Sequence, residues 1–123
     1  MILSKEEIDA LYACGPGIMF LQQEPEIAKK INEHMRPFVP KEGDDFHSNV
    51  CVLLKPGQGV GNHSHDDHHT VVYYPEECEG PLVEGKRVEV SQGDVIYLPP
   101  GVMHEVTPTD KLRISFGMRV KIE

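Results

Sequence analysis

The sequence predicts a mainly β single domain, a sandwich or barrel of short strands with one or two helices in front of it. Three observations carry that prediction. From about residue 46, short runs rich in Val, Ile and Tyr alternate with breaks that carry Gly and Pro. The first 45 residues instead show apolar residues at one-face helical spacing, with caps and stops. A chain of 123 residues, 39% of them hydrophobic, suits one domain with its own core and leaves little room for a second.

The elements follow in order. Ser4 and Glu7 have capping-box spacing, a hydroxyl that caps a helix with a carboxylate three residues on. Ile8, Leu11 and Tyr12 then share a face, and Gly15-Pro16-Gly17 ends the helix. A second helix starts near Pro25, a residue tolerated in a first turn. Ile27, Ala28, Ile31 and Met35 give it an apolar stripe, and Pro37 and Pro40 stop it. Both stripes are expected to pack on the rest of the domain or on a second copy. Residues 1–45 thus read as a helical extension packed on a barrel formed by residues 46–123.

Within that barrel, strands are expected at 48–54, 70–74, 87–90, 95–98 and 113–122, with Pro or Gly closing the first, second and fourth. In the last of them Ile114, Phe116, Met118, Val120 and Ile122 lie on one face. Tyr97, Phe116 and Met118 are expected to line or fill the barrel.

Composition removes several function classes. A net charge of −8, from 20 acids against 12 bases, argues against nucleic acid, which needs a basic surface. No apolar run approaches the roughly 20 residues that span a bilayer. The N-terminus lacks the basic start and apolar stretch of a secretory signal. Cys14, Cys51 and Cys78 are odd in number and lack CxxC spacing, which disfavours a disulfide framework and a cysteine zinc site. A reducing, cytoplasmic setting is therefore expected, and neither Cys51 nor Cys78 is assigned a nucleophilic role.

The informative feature is histidine. Four of the seven histidines fall between His63 and His69. On a strand, His63 and His65 point the same way with Cα atoms roughly 6.6 Å apart, close enough for two imidazoles to meet one ion. A straight strand carries His69 roughly 13 Å from His65, too far to share that ion, so the chain must turn at Asp66-Asp67-His68. His69 then returns on the next strand beside the pair. His104 follows the rigid Pro99-Pro100-Gly101 corner, which is suited to aiming one side chain inward. His34 and His47 read as ordinary hydrogen-bonding histidines.

These motifs resemble those of the cupin superfamily. Its first motif is a glycine, five residues, His-x-His, three or four residues and a glutamate. Here Gly57 precedes His63-Ser64-His65 at that distance, and His69 stands in the glutamate's place. Its second motif is a glycine, five residues, proline, one residue, glycine, two residues and histidine, matched by Gly93, Pro99, Gly101 and His104. The first motif goes on with six residues and a glycine, where this chain has Glu76 with Gly80 near, and the second with three residues and an asparagine, where it has Pro108. The resemblance covers about residues 46–120 and implies a cupin-type jelly-roll β-barrel. It implies one divalent transition metal ion (Fe, Mn, Ni, Cu or Zn) held by His63, His65, His69 and His104. His68 takes the third place if the turn is one residue shorter.

Four neutral imidazoles leave the full 2+ charge on an ion, which favours anionic or chelating oxygen ligands. Tyr73, at the same parity as His69, is the candidate acid of such a site. The resemblance thus implies a metal-dependent enzyme, with dioxygenase-type chemistry favoured over isomerase or lyase chemistry, acting on a small oxygen-chelating substrate. The alternative is a non-catalytic, metal-anchored module that binds or senses a small ligand. Cupins commonly pair, so a homodimer is expected.

Overall fold

The alternating segments after residue 46 fold into two antiparallel sheets that face each other. A computed structural model describes residues 3–13, 17–20, 25–35, 37 and 46–121. Cys14, Gly15, Pro16, Pro40 and Ile122 lie outside the described residues, as do the side chains of Tyr12, Ala28, His47, Cys51 and Val120. The elements are α1 (Lys5–Ala13), β1 (Gly17–Phe20), α2 (Pro25–Met35), β2 (Phe46–Leu54), β3 (Val60–His63), β4 (His68–Tyr73), β5 (Cys78–Val83), β6 (Lys86–Val90), β7 (Val95–Leu98), β8 (His104–Val106) and β9 (Arg113–Lys121). One sheet runs β1-β2-β9-β4-β7 and the other β3-β8-β5-β6. Apart from β1, this is a jelly roll of two four-stranded sheets between which the chain passes back and forth.

Local chemistry accounts for the element ends. The capping box forms in both directions. Glu7 N–H donates to Ser4 Oγ at 3.1 Å, and Ser4 N–H donates to Glu7 Oε1 at 2.9 Å. Glu7 Oε1 also accepts from Lys30 Nζ at 2.7 Å, which ties α1 to α2. The β5–β6 hairpin closes through Glu84 and Gly85, both at positive φ (49° and 78°), as a two-residue turn that matches strand twist requires. β1 is an element the residue pattern did not reveal. Its four residues are too few to show a period, yet Gly17 to Phe20 pair with Leu53 to Val50 along the edge of β2.

The main apolar core lies outside the sandwich. Leu3, Leu11, Ile27, Ile31 and Met35 pack on Leu53, Val71, Tyr73, Ile114, Phe116 and Met118, the outer face of the five-stranded sheet. The apolar stripes of both helices therefore bury against the sheet, and the apolar face of β9 turns towards them. The expectation that Tyr97, Phe116 and Met118 line the barrel is corrected accordingly. Phe116 and Met118 face the helices, and Tyr97 is 54% exposed. Their neighbours Ser115, Gly117 and Arg119 face the interior instead, because successive strand residues alternate sides. Among the described residues, no helix is long and apolar enough to cross a membrane.

Candidate metal centre

Two segments distant in sequence meet at one end of the interior. His63 closes β3 and is the direct cross-strand partner of His104, which opens β8. After His63 the chain continues to His65, whose carbonyl accepts a 2.8 Å hydrogen bond from Gly101 N–H. Gly101 sits at φ +81°, a conformation natural to glycine, at the end of the Pro99-Pro100 corner. That bond fastens the corner to the histidine segment. The chain then bends at Asp66 and Asp67 and enters β4 at His68.

Ring nitrogens of His63, His65 and His104 all lie within 4.8 Å of one another. The ring centroids are 4.2 Å apart for His63 and His104, 5.0 Å for His63 and His65, and 5.3 Å for His65 and His104. His63 Nδ1–H donates to the Gly61 carbonyl at 2.7 Å, and His104 Nδ1–H donates to the Val102 carbonyl at 3.0 Å. A carbonyl can only accept, so each bond places the proton on Nδ1 and leaves the Nε2 lone pair free. Burial pulls the pKa of His65 down to about 4, helped by the neighbouring His68, His63, His104 and Arg119. Burial also lowers that of His104. Both rings are neutral near pH 7, the state that ligates.

His68 stands beside this trio. Its ring centroid is 4.6 Å from that of His65. Its Nδ1–H donates to the Asp67 carboxylate at 2.7 Å, while its buried Nε2 has no hydrogen-bond partner among the described residues. This is the carboxylate–imidazole arrangement that orients a metal-ligating ring.

His69 is not brought to the cluster. The turn is one residue shorter than Asp66-Asp67-His68, so β4 begins at His68, and a one-residue shift sends each side chain to the other face. His68 faces inward, and His69 shares a hydrogen bond with the Tyr97 hydroxyl on the outer face, where the two rings stack. Tyr73 follows His69 outward. It is 2% exposed, packed between the rings of His34 and Phe116, and takes no part in the interior. Its assignment as the acid of the site is corrected for the same reason. Tyr74 does face the interior, but it lies six residues past His68, about 20 Å along the strand. Cys78 is a half-buried thiol whose pKa burial pushes up.

The trio opens on a cavity of about 120 Å³ between the sheets. Val52, Val60, Val72, Ile96, Leu98 and Val106 supply an aliphatic wall, and Thr70, Ser115 and Arg119 supply polar groups. Thr70 and Arg119 went unnoticed in the residue pattern. The signal for Arg119 was present in the polar alternation Arg113, Ser115, Gly117, Arg119, which runs opposite the apolar face of β9.

Comparison with known proteins agrees with this architecture. A family model for the cupin domain matches residues 50–116, more than half of the chain. No curated protein matches in sequence. Among solved structures, KdgF from Halomonas sp. is similar at a TM-score of 0.54 and 19% identity, over 65% of this chain and 78% of that one. A predicted oxalate decarboxylase from Thermotoga maritima is similar at 0.54 and 22% identity, over 75% and 74%. A salicylate 1,2-dioxygenase from Pseudaminobacter salicylatoxidans is similar at 0.51 and 15% identity, over 58% of this chain and 20% of that one. At these identities the likeness is one of fold.

Proposed function

Because the chain belongs to the cupin family, we propose that its histidine cluster is the centre of a metal-dependent enzyme acting on a small oxygen-chelating substrate. Dioxygenase-type chemistry is favoured over isomerase or lyase chemistry. The carrying observation is that the imidazoles of His63, His65 and His104 converge on one cavity, two of them locked with Nε2 free. The proposed ligand set is these three with His68, whose buried Nε2 has no partner among the described residues. Imidazole donors suit Zn, Cu, Fe and Ni. An ion held there would act as a Lewis acid with its full 2+ charge, since no carboxylate joins the set.

The chain's own residues do the rest. The carbonyls of Gly61 and Val102 and the carboxylate of Asp67 hold protons on the Nδ1 atoms and fix the ring planes. The aliphatic wall excludes water from the reacting face. A cavity of about 120 Å³ is well below the roughly 300–1,000 Å³ of drug-sized pockets, so the substrate is small. The salicylate 1,2-dioxygenase of similar fold supports the reading only in that this fold hosts such a reaction.

A second reading has its own observation. Among the described lining residues there is no aspartate or glutamate to serve as a general base, which suits a metal-anchored binding module. Loading the protein with Fe(II), Mn(II), Ni(II) or Cu(II), then offering diketones, catechols and hydroxy acids, separates the two. The enzyme reading expects one ion per chain by elemental analysis, and product or oxygen uptake with at least one metal. Ligand binding without conversion under every metal leaves the module. His68→Ala should weaken metal binding and His69→Ala should not. The absence of a stoichiometric ion in the unsubstituted protein would overturn both readings.

A further inference from the structure

We propose that Arg119 and Thr70 form a carboxylate subsite beside the histidine centre, so that the ligand is a small molecule carrying a carboxylate next to a chelating hydroxyl or carbonyl oxygen. The proposal deepens the metal reading above and rests on it.

The charge distribution is the first observation. The chain carries −8 overall, yet the described residues lining the cavity include no acid and one formal cation, Arg119. The cavity is thus a locally positive place in an acidic protein. It draws an anion, and one cation balances one carboxylate.

Placement is the second observation. Arg119 on β9 and Thr70 on β4 are direct cross-strand partners. Both line the cavity, so their Cβ atoms lie within about 4.5–5.5 Å of each other. Thr70 is two residues past His68, about 7 Å along the strand. The charge of Arg119 is also felt at His65. The pair therefore sits within the span of a molecule that also reaches the histidines.

The third observation is what these groups lack. Thr70 is 9% exposed, and its Oγ1 is buried with no hydrogen-bond partner among the described residues. Buried hydroxyls are normally paired, because an unpaired one has lost its water for nothing. Among the described residues, no carboxylate pairs with Arg119. A guanidinium fork with an adjacent hydroxyl is a donor set that fits the two oxygens of a carboxylate. A catechol or a neutral diketone carries no carboxylate to match the guanidinium fork.

The test uses the Mn(II)-loaded full chain and calorimetric titration with glycolate and its neutral twin, glycolamide. Mn(II) affinity is measured separately. Because the ion itself prefers glycolate, the decisive quantity is how far that preference falls when Arg119 changes. Arg119→Gln should weaken glycolate by about tenfold to a hundredfold, the range of one charged hydrogen bond. It should leave glycolamide unchanged and should not weaken Mn(II), since a cation is being removed from beside a cation. Arg119→Lys should recover part of the preference, and it serves as the reporter if Arg119→Gln fails to fold. Thr70→Val should weaken glycolate by a smaller factor. An unchanged preference in the Arg119 variants overturns the carboxylate subsite and leaves the metal reading standing. If none of Mn(II), Fe(II), Ni(II), Cu(II) and Zn(II) binds the parent protein, the metal reading falls instead. Glycolate binding to the metal-free chain then decides the subsite: dependence on Arg119 upholds it, and independence or no binding overturns it.

Discussion

Replacing Ile31 with alanine tests whether the helical segment holds this domain together. Ile31 on α2 is fully buried against the outer face of the five-stranded sheet. The change removes three carbons, and at about 0.8 kcal/mol each the lost transfer energy is about 2.4 kcal/mol. The surrounding residues are fixed on two helices and three strands, so the void collapses only partly, and the total loss should be about 3–4 kcal/mol. For a chain of 123 residues, an unfolding entropy near 2.1 cal/mol/K per residue converts this to a fall in Tm of about 11–16 °C. Thermal unfolding followed by circular dichroism, at constant metal, reads it directly. Glu33→Ala on the exposed side of the same helix is the control and should stay within about 0.5 kcal/mol. Metal stoichiometry should not change, because Ile31 and the histidines lie on opposite sides of the sheet. A fall of less than about 4 °C, near 1 kcal/mol, would mean that α2 is not docked as described, and the account of the core would be refuted.

Three further outcomes are expected. The pKa of His65 is about 4 in the folded protein and near 6.5 when unfolded, so between these values the unfolded chain binds more protons. The stabilising contribution is complete above pH 6.5 and is lost as pH falls towards 4, so urea midpoints of the metal-free protein should drop over that window, and less so in His65→Asn. Gly80→Ala would place a Cβ 2.1 Å from the Val88 carbonyl oxygen and 2.6 Å from Val90 Cγ2. Backbone cannot yield there, and denaturant unfolding should show a loss at or above the usual overpacking range of about 1–3 kcal/mol. Ser4→Ala removes one half of the α1 capping box and should cost about 0.5–2 kcal/mol in the same assay.

Much of this is legible in the amino-acid sequence itself. Ser4 and Glu7 announced the start of α1, the stripe of Ile27, Ile31 and Met35 announced the buried face of α2, and the 95–98 run corresponds to β7 (Val95–Leu98). The spacing of His63, His65 and His104 marked the residues whose rings meet. What stayed hidden has two physical causes. Strands β1, β3 and β8 have four, four and three residues, too few for a period of two to declare itself without the continuous apolar run that marked β7, and Gly80 and Pro81 interrupt the six residues of β5. The second cause is that alternation reveals two faces without saying which is inside. Ile114, Phe116 and Met118 share a face in any reading, but only the docking of α1 and α2 turns that face outward. The exchange of His69 for His68 is the same ambiguity at its smallest scale, a turn shorter by one residue.

The position of that apolar core has a wider meaning. Where a protein keeps its greasiest contacts in the same space as its chemistry, each change to the chemistry endangers the fold. Here the two tasks are assigned to opposite surfaces of one sheet. Side chains such as Thr70, Ser115 and Arg119 are thereby left freer to drift, or to be engineered, towards new ligands while the helical clamp on the far side keeps the domain folded.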